Sequence, residues 1–318
     1  MSNMVSSTKM QTKRRELLAR AAWRRSLTAY AFIAPALILY FTFQVLPIFG
    51  AMVLSFTDWN GIGFNTIEWI GFDNYVRLMQ DPLFWSSFSH NLIVAVLVFV
   101  FLTCGSFLIS AILHAGIRGG AFFRVIFFAP VVLSSVAVAM LALFFFSPSQ
   151  GLINETLRAI GLGDFAPAWL GDPSLALGAV TVTYILQNLG FSIILFLSGL
   201  SQVSDEMCEA AEVDGASQGR ILWQIVLPSI RPIATVVVLL GFINSFRMFD
   251  TVYIMTGGGP FHASDTLVTY IFSVAFNGSD VGYANAISGR LCLILAVIAV
   301  INLWLGRDKD RSKDRLSR

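Results

Sequence analysis

The chain has 318 residues, of which 56% are hydrophobic and 13% are charged, and its mean hydropathy is +0.73. Soluble domains carry roughly 25% charged residues, so this composition excludes an ordinary soluble protein and predicts one that lies in a lipid bilayer. The formal net charge of +2 does not indicate a nucleic-acid partner. The three cysteines, Cys104, Cys208 and Cys292, have no CxxC spacing, which argues against a disulfide framework or a zinc site.

The first 26 residues carry seven Lys or Arg residues, interspersed with leucine, alanine and tryptophan. Such spacing is compatible with a basic amphipathic helix on the headgroup surface; the alternative is a simple orientation signal. The apolar run that follows, 27–56, is longer than the roughly 7 to 15 residues of a signal-peptide core. We therefore predict an anchor that is not cleaved.

Six apolar stretches are long enough to cross a hydrocarbon core of about 30 Å, which needs about 20 residues. They predict an all-α integral membrane protein with six transmembrane helices in one domain at 27–306, between a basic N-terminal segment at 1–26 and a basic tail at 307–318. The stretches are 27–56, 91–115, 121–146, 175–200, 233–255 and 286–305.

The basic residues predict the orientation of these spans. Seventeen of the 21 Lys and Arg residues lie in four segments on one side, which are 1–26, 116–124, 201–231 and 306–318. The loops on the opposite side hold only Arg77 and Arg158. By the positive-inside rule both termini and the 201–231 loop are cytoplasmic.

The last two basic residues, Arg247 and Arg290, fall inside predicted spans. A charge within an apolar helix is costly and usually faces a cavity or a partner, so both are candidate functional residues. Three interpretations remain open. The arginines bind hydroxyls or an anionic group of a solute, Arg247 pairs with Asp250 on the same helix, or both meet acidic residues of a partner subunit.

Three segments on the outer side contain helix breaks and short helices. The 72–85 segment predicts a short helix that ends at Asp81-Pro82, and 151–162 predicts a helix on the membrane surface. The TGGGP sequence at 256–260 predicts a break. Because the chain has no HExxH, GxSxG or GxxxxGK[ST] pattern and its three histidines lie far apart, we predict neither an enzyme nor an ATP site.

The cytoplasmic 201–231 loop has features that agree with one another. Ser204 followed by Asp205 and Glu206 predicts the start of a helix with a serine N-cap and acidic residues that suit its dipole. Gly215 allows a break, a short apolar helix follows, and Pro228 marks the return into the membrane. A short helix presented in this way suits a socket on a soluble partner; an ordinary inter-helix loop is the alternative.

The same loop reads EAA at 209–211, has a glycine four residues later and ends in an apolar residue and Leu-Pro; these positions are Glu209, Ala210, Ala211, Gly215, Ile225, Leu227 and Pro228. In this pattern it resembles the EAA loop of binding-protein-dependent ABC importer permeases. The segments LSFTDW (54–59), IGFDNYVRLMQDPLFW (70–85), GLIN (151–154) and FDTVYIMTGGGP (249–260) resemble the sugar-transporting branch, and TGGGP is typical of its maltose-permease-like or glycerol-phosphate-permease-like subunit.

The resemblance implies a type I importer fold. The chain would cross the bacterial inner membrane several times and would not itself be a catalyst. Its partners would be a second, different permease, two cytoplasmic ATPases and an external solute-binding protein. ATP and Mg would be used by the ATPases, with no cofactor on this chain. The solute would be a sugar, a polyol or a sugar-phosphate-like compound. The alternative is a stand-alone secondary transporter or channel for a small polar solute, but the sequence shows no clear inverted repeat or mid-span acid.

The resemblance also implies two sets of site residues. The first set would form a coupling helix that docks on an ATPase. Glu209, Ala210 and Ala211 would contact the ATPase, and Gly215 would form the turn that follows. The same element includes Asp214, Ala216, Leu227 and Pro228. A shallow polar substrate site would be lined by the last three spans. Its candidates are Asn188, Gly190, Ser192, Asn244, Ser245 and Met248, with Arg247 and Arg290 beside them and Asn285 and Ser288 near the sixth span. Small and polar residues also serve helix packing, which is the competing role for each.

Overall fold

The structure, a computed structural model, describes the backbone of residues 30–316 and the side chains of residues 30–301 except residue 64. Over this part the chain is helical, with one isolated antiparallel bridge between Thr57 and Trp69. The amphipathic helix predicted within residues 1–26 lies outside the described residues. The helices are α1 (Tyr30–Leu54), α2 (Asp73–Gln80), α3 (Pro82–His114), α4 (Gly120–Val132), α5 (Ser135–Phe145), α6 (Leu152–Ala159), α7 (Ala176–Leu200), α8 (Asp205–Val213), α9 (Gln218–Ser229), α10 (Arg231–Phe246), α11 (Asp250–Met255), α12 (Leu267–Asn277) and α13 (Val281–Leu316).

Four of these helices, α1, α3, α7 and α13, are each long and apolar enough to cross a membrane. Two further pairs pass the same test only when each pair is joined. The pair α4–α5 is bent by 106° and the pair α9–α10 by 78°. Counting each pair as one span gives six, the number that the sequence predicts, but α9 lies in the predicted cytoplasmic loop 201–231 and only α10 falls within the predicted fifth span.

Helix α1 belongs to a unit separate from that of the other helices. None of its described residues is buried, and large apolar side chains are exposed around its circumference, as at Phe32 and Phe43. A helix that is apolar on every side needs lipid or another membrane helix around it. The remaining helices form the second unit.

Helix α7 is the centre of the second unit, where sixteen of its 25 residues are buried. It packs against α3, α4, α5, α10 and α11. The contact with α3 is polar as well as apolar, because Ser110 Oγ donates a hydrogen bond to the Ile193 carbonyl at 3.0 Å. Close to it, the rings of Phe107 and Phe196 meet edge to face, 5.5 Å apart. Small and hydroxyl side chains allow membrane helices to approach each other closely. Helix α7 is therefore the element against which these five helices pack.

The third predicted span, 121–146, is not a single helix, which corrects the prediction. Helix α4 ends at Val132, Leu133 is extended, and Ser134 caps α5 by accepting a hydrogen bond from the Ala137 N–H at 3.3 Å. A serine N-cap satisfies one of the free N–H groups at the start of a helix. The chain can therefore turn here without leaving that donor unpaired in the membrane.

The fifth predicted span, 233–255, is also interrupted. Helix α10 ends at Phe246 and a separate helix, α11, begins at Asp250. The prediction that Arg247 and Asp250 share one helix is therefore wrong. Arg247 follows the end of α10, and Asp250 is the first residue of α11.

Distant side chains stabilise this second break. Asn91 of α3 donates from Nδ2 to the Ser245 carbonyl at 3.1 Å, and Thr266 donates from Oγ1 to the Met248 carbonyl at 3.0 Å. Asn91 Oδ1 also accepts the Leu267 N–H at 2.8 Å. Carbonyl groups freed at a helix end must find partners in a membrane protein. These bonds supply them from elements far away in the sequence.

The short helices predicted on the outer side are present as α2 and α6. Between α2 and α3, Asp81 joins several elements, because its Oδ1 accepts the Leu83 N–H at 2.9 Å and caps α3. Its Oδ2 accepts hydrogen bonds from the hydroxyls of Tyr270 and Tyr283, each at 2.5 Å. Burial alone would raise the pKa of Asp81, but these hydrogen bonds outweigh it and hold the pKa below its ordinary value.

Replacing Asp81 by alanine is expected to destabilise the protein by about 2–4 kcal/mol, since the variant loses a helix cap and an ionised acceptor of two tyrosine hydroxyls. The matched control is Asp73→Ala, which removes an exposed carboxylate from the first turn of α2 and is expected to cost less than about 1 kcal/mol. Thermal unfolding of the two purified variants measures both effects. Equal unfolding midpoints would contradict the structural role of Asp81.

The contribution of Asp81 also has a defined pH dependence. A carboxyl group whose pKa is lowered by folding stabilises the folded state above its unfolded pKa of about 3.9, and this stabilisation is lost as the pH falls through the folded value. The difference in stability between the wild type and Asp81→Ala is therefore expected to be full at neutral pH and to shrink below about pH 4.

Candidate functional site

A polar cavity of about 350 Å³ lies where the two interrupted spans meet. Ser135, the first residue of α5, comes directly after the first break, and residues 247–251 include the second. Helices α5 and α11 pack on each other beside α7, which supplies the remaining wall. The lining residues are Ser135, Tyr184, Gln187, Asn188, Asn244, Arg247, Met248, Phe249, Asp250 and Thr251.

Most of the lining side chains can form hydrogen bonds. On α7, Asn188 Nδ2 donates to the Tyr184 carbonyl at 2.8 Å, which leaves its amide oxygen free to accept. Gln187 Nε2 reaches Ser135 Oγ at 3.4 Å across the first break. Phe249, whose ring stacks on Tyr253 with centroids 5.1 Å apart, provides an aromatic surface beside these groups. A few polar groups that converge beside an apolar surface are typical of a site for a small polar molecule.

Four of the predicted substrate residues lie together in this cavity. Asn188 is contributed by α7 and Asn244 by α10, while Arg247 and Met248 belong to the link between α10 and α11. Asn244 and Arg247 are exposed, whereas Met248 is buried.

The other four predicted substrate residues lie outside the residues that line the cavity. Gly190 faces α4, and a Cβ atom added there would lie 2.1 Å from the Phe127 carbonyl oxygen. Ser192 is buried in α7, and Ser245 is buried with its hydroxyl donating to the Phe242 carbonyl at 2.8 Å. Arg290 is exposed on α13.

Sequence reasoning missed Ser135, Tyr184, Gln187, Asp250 and Thr251 as lining residues. One signal was available on α7, because positions 184, 187 and 188 have the i, i+3, i+4 spacing of one helix face. Ser135 reaches the cavity only because α4 and α5 are separate helices. No periodicity in an apolar stretch reports such a break.

The predicted coupling element is formed by α8, a turn and α9. Glu209 and Ala210 are exposed on α8, and Ala211 is partly buried. Ser204 precedes α8 as predicted, but its side chain forms no capping hydrogen bond, which corrects that detail. Gly215 ends the helix at φ +81, and its N–H donates to the Glu212 carbonyl at 2.9 Å.

The turn after α8 is short and internally bonded. Asp214 is exposed, and the Ala216 N–H returns to the Ala211 carbonyl at 2.9 Å. Ser217 then caps α9 by accepting the Arg220 N–H at 3.4 Å. The side chains of Gln218 and Glu212 are hydrogen-bonded, which links α8 to α9.

Helix α9 is anchored in the bundle, while α8 presents an exposed surface. Ile221 is buried, and Leu222, Val226 and Leu227 pack against an apolar cluster that includes Phe107 and Phe196. Pro228 is exposed near the end of α9, before the 78° bend into α10. Helix α9 therefore leads directly through this bend into α10, whose far end reaches the cavity at Asn244.

Known proteins resemble this chain over nearly its whole length. The probable ABC transporter permease YurN of Bacillus subtilis is 33% identical over 282 residues, covering 88% of this chain and 96% of that protein. The multiple sugar-binding transport system permease MsmF of Streptococcus mutans is 31% identical, with 87% and 94% covered. The lactose transport system permease LacF of Rhizobium radiobacter is 30% identical, with 89% and 95% covered.

The fold has solved counterparts. A permease chain in the crystal structure of a bacterial alginate ABC transporter, solved in complex with an alginate pentasaccharide-bound periplasmic protein, superposes with a TM-score of 0.78. It is 24% identical and covers 90% of this chain and 96% of its own length. The family described as binding-protein-dependent transport system inner membrane component matches residues 106–307, which are more than half of the chain. The chain therefore belongs to this family, as a transport subunit and not an enzyme.

Proposed function

We propose that this chain is the membrane-spanning subunit of a bacterial ABC importer that passes a carbohydrate through the cavity at the two helix breaks. The observation that carries the proposal is the convergence of hydroxyl, amide and charged side chains on that cavity, where the chain leaves its helices. Interrupted spans form the substrate sites of many transporters. Relatives named for multiple sugars, lactose and diacetylchitobiose support a carbohydrate as the solute.

Within the cavity, Asn188, Asn244 and Arg247 would bind hydroxyl groups of the solute. Met248 and Phe249 would supply the apolar surface on which a sugar ring lies. This division of roles follows from the side chains themselves, because amides both donate and accept, whereas a guanidinium only donates.

The energy for transport would come from partners. We place 201–231 in the cytoplasm with both termini, in a chain that crosses the inner membrane several times, and the distribution of Lys and Arg supports this orientation. The exposed side of α8 with Glu209 would dock on one of two ATPase subunits, which use ATP and Mg. A second, different permease and an external solute-binding protein would complete the importer.

The geometry suggests how docking could act on the solute. Helix α10 has 16 residues and so spans about 24 Å between the bend after α9 and the cavity. If ATP-driven movement shifts α9, the bend transmits the shift to α10, which carries Asn244 near its far end. The cavity could then open to one side of the membrane and close to the other.

The test is to tag the chain in its native bacterium, purify it from the membrane and identify what accompanies it. We expect a second permease and an ATPase, and the reconstituted complex should take up sugar only with ATP and the solute-binding protein. A chain that purifies alone and carries solute along an ion gradient without ATP would contradict the proposal.

A further inference from the structure

Two ionisable side chains of opposite charge line the cavity without being paired. Arg247 follows the end of α10 and Asp250 begins α11, and both are exposed. Among the described residues, neither side chain forms an ion pair or a hydrogen bond. Their charges suit the dipoles of the helix ends that they occupy. Their hydrogen-bonding capacity nevertheless remains available to a solute.

All other lining residues are uncharged, so the cavity carries one positive and one negative group. The guanidinium offers only donors and the carboxylate only acceptors. A sugar hydroxyl can do both, so the hydroxyls of an uncharged carbohydrate can accept from Arg247 and donate to Asp250.

An anionic sugar interacts differently with the two charged side chains. Its carboxylate or phosphate gains attraction from Arg247 but suffers repulsion from Asp250, which is only three residues away along the chain. The two effects have opposite signs, and the anion also loses its hydration on entering the cavity. Of the two charged groups, Asp250 is the one that penalises an anion.

Resting on the proposed function, we propose that Asp250 is a specificity-determining residue that selects uncharged carbohydrates over anionic ones. Arg247 and Asp250 together form a hydroxyl-binding pair for the solute. Removal of the Asp250 charge converts the cavity into one that attracts anions through Arg247.

The experiment compares matched neutral and anionic sugars on the complex purified through this chain and placed in lipid nanodiscs. Saturation-transfer NMR, which detects weak binding, measures glucose against glucuronate, galactose against galacturonate and lactose against lactobionate. In the wild type we expect the neutral member of a pair to bind more tightly. Asp250→Asn should shift the neutral-to-anionic ratio toward the anion by about tenfold, since like charges held together in a binding site are strongly unfavourable.

Two further variants sharpen the result. Asp164→Asn removes a carboxylate from an exposed loop outside the cavity and is expected to leave the ratio unchanged. Arg247→Gln removes the only cation among the described residues that line the cavity, so it should weaken the anions more than the neutral sugars and shift the ratio toward the neutral member. This second cavity variant keeps the test decisive if Asp250→Asn does not fold.

A wild type that prefers the anionic members would overturn the inference. So would a ratio that neither cavity variant changes, including the case in which no sugar binds. ATP-dependent uptake of the same labelled sugars by the same complex tests the proposed function separately. If uptake continues while the neutral-to-anionic binding ratio stays unchanged, the inference about Asp250 is wrong but the proposed importer function stands.

Discussion

Replacing Gly190 by alanine is expected to destabilise the helical bundle by about 1–3 kcal/mol or more, as overpacking of a close contact does. The added Cβ would lie 2.1 Å from the Phe127 carbonyl oxygen and 2.9 Å from the Phe128 Cα. Both are backbone atoms of α4, so no side-chain rotation can relieve the clash. Helices α4 and α7 would have to separate, and the unfolding midpoint of the purified protein should fall.

Gly178 provides the matched control because it lies on the same helix, and a Cβ there would meet nothing within 4 Å. In a helix, alanine is favoured over glycine by about 0.8–1.0 kcal/mol, so Gly178→Ala should be as stable as the wild type or more so. Equal midpoints for the two variants would show that the approach of α4 to α7 is not constrained. If Gly190→Ala kept its stability but lost sugar affinity, a direct role in solute contact would be favoured instead.

Hydropathy predicted each unbroken span, closely for α7 (175–200 against Ala176–Leu200), whereas α3 begins at Pro82 and not at 91, and α13 begins at Val281 and not at 286. It did not predict the two breaks. Ser134 and Ser135 interrupt an otherwise apolar stretch, but a serine in a membrane span is as compatible with a helix interior as with a cap. The second break contains neither glycine nor proline and depends on Asn91 and Thr266, which lie far from it in sequence.

The candidate cavity could be predicted only in part, for a related reason. Asn188 and Asn244 are conspicuous because polar side chains in apolar spans require partners. Gly190 and Ser192 are equally conspicuous, but one is packed against a backbone and the other is buried within the bundle. Which small or polar residue faces a cavity depends on how the helices pack, and spacing along one helix does not determine that.

A second large effect is expected at the turn between α8 and α9. Gly215 has φ +81, in the left-handed region, and its N–H bonds the Glu212 carbonyl. Proline is held near φ −65° and has no N–H, so Gly215→Pro must change the direction of α8 while α9 stays anchored by Ile221. We expect retention of the ATPase and ATP-driven uptake to fall by about tenfold or more, in the range of strong coupling between sites. The unfolding midpoint of the spans should change little.

Two further variants distinguish three possible causes of this loss: the backbone angle at residue 215, a requirement for glycine itself, and the exposed surface of α8. Asparagine tolerates the left-handed conformation better than other residues and keeps the N–H, so Gly215→Asn should retain most of the uptake. Glu209→Lys leaves the turn intact but reverses a charge on the exposed side of α8, and it should reduce ATPase retention as well. For all three variants, the measured quantity is the fraction of ATPase that remains bound to the tagged chain. Wild-type uptake in both Gly215→Pro and Glu209→Lys would refute the coupling role, whereas equal losses in Gly215→Pro and Gly215→Asn would show that glycine is required for a reason other than its backbone angle.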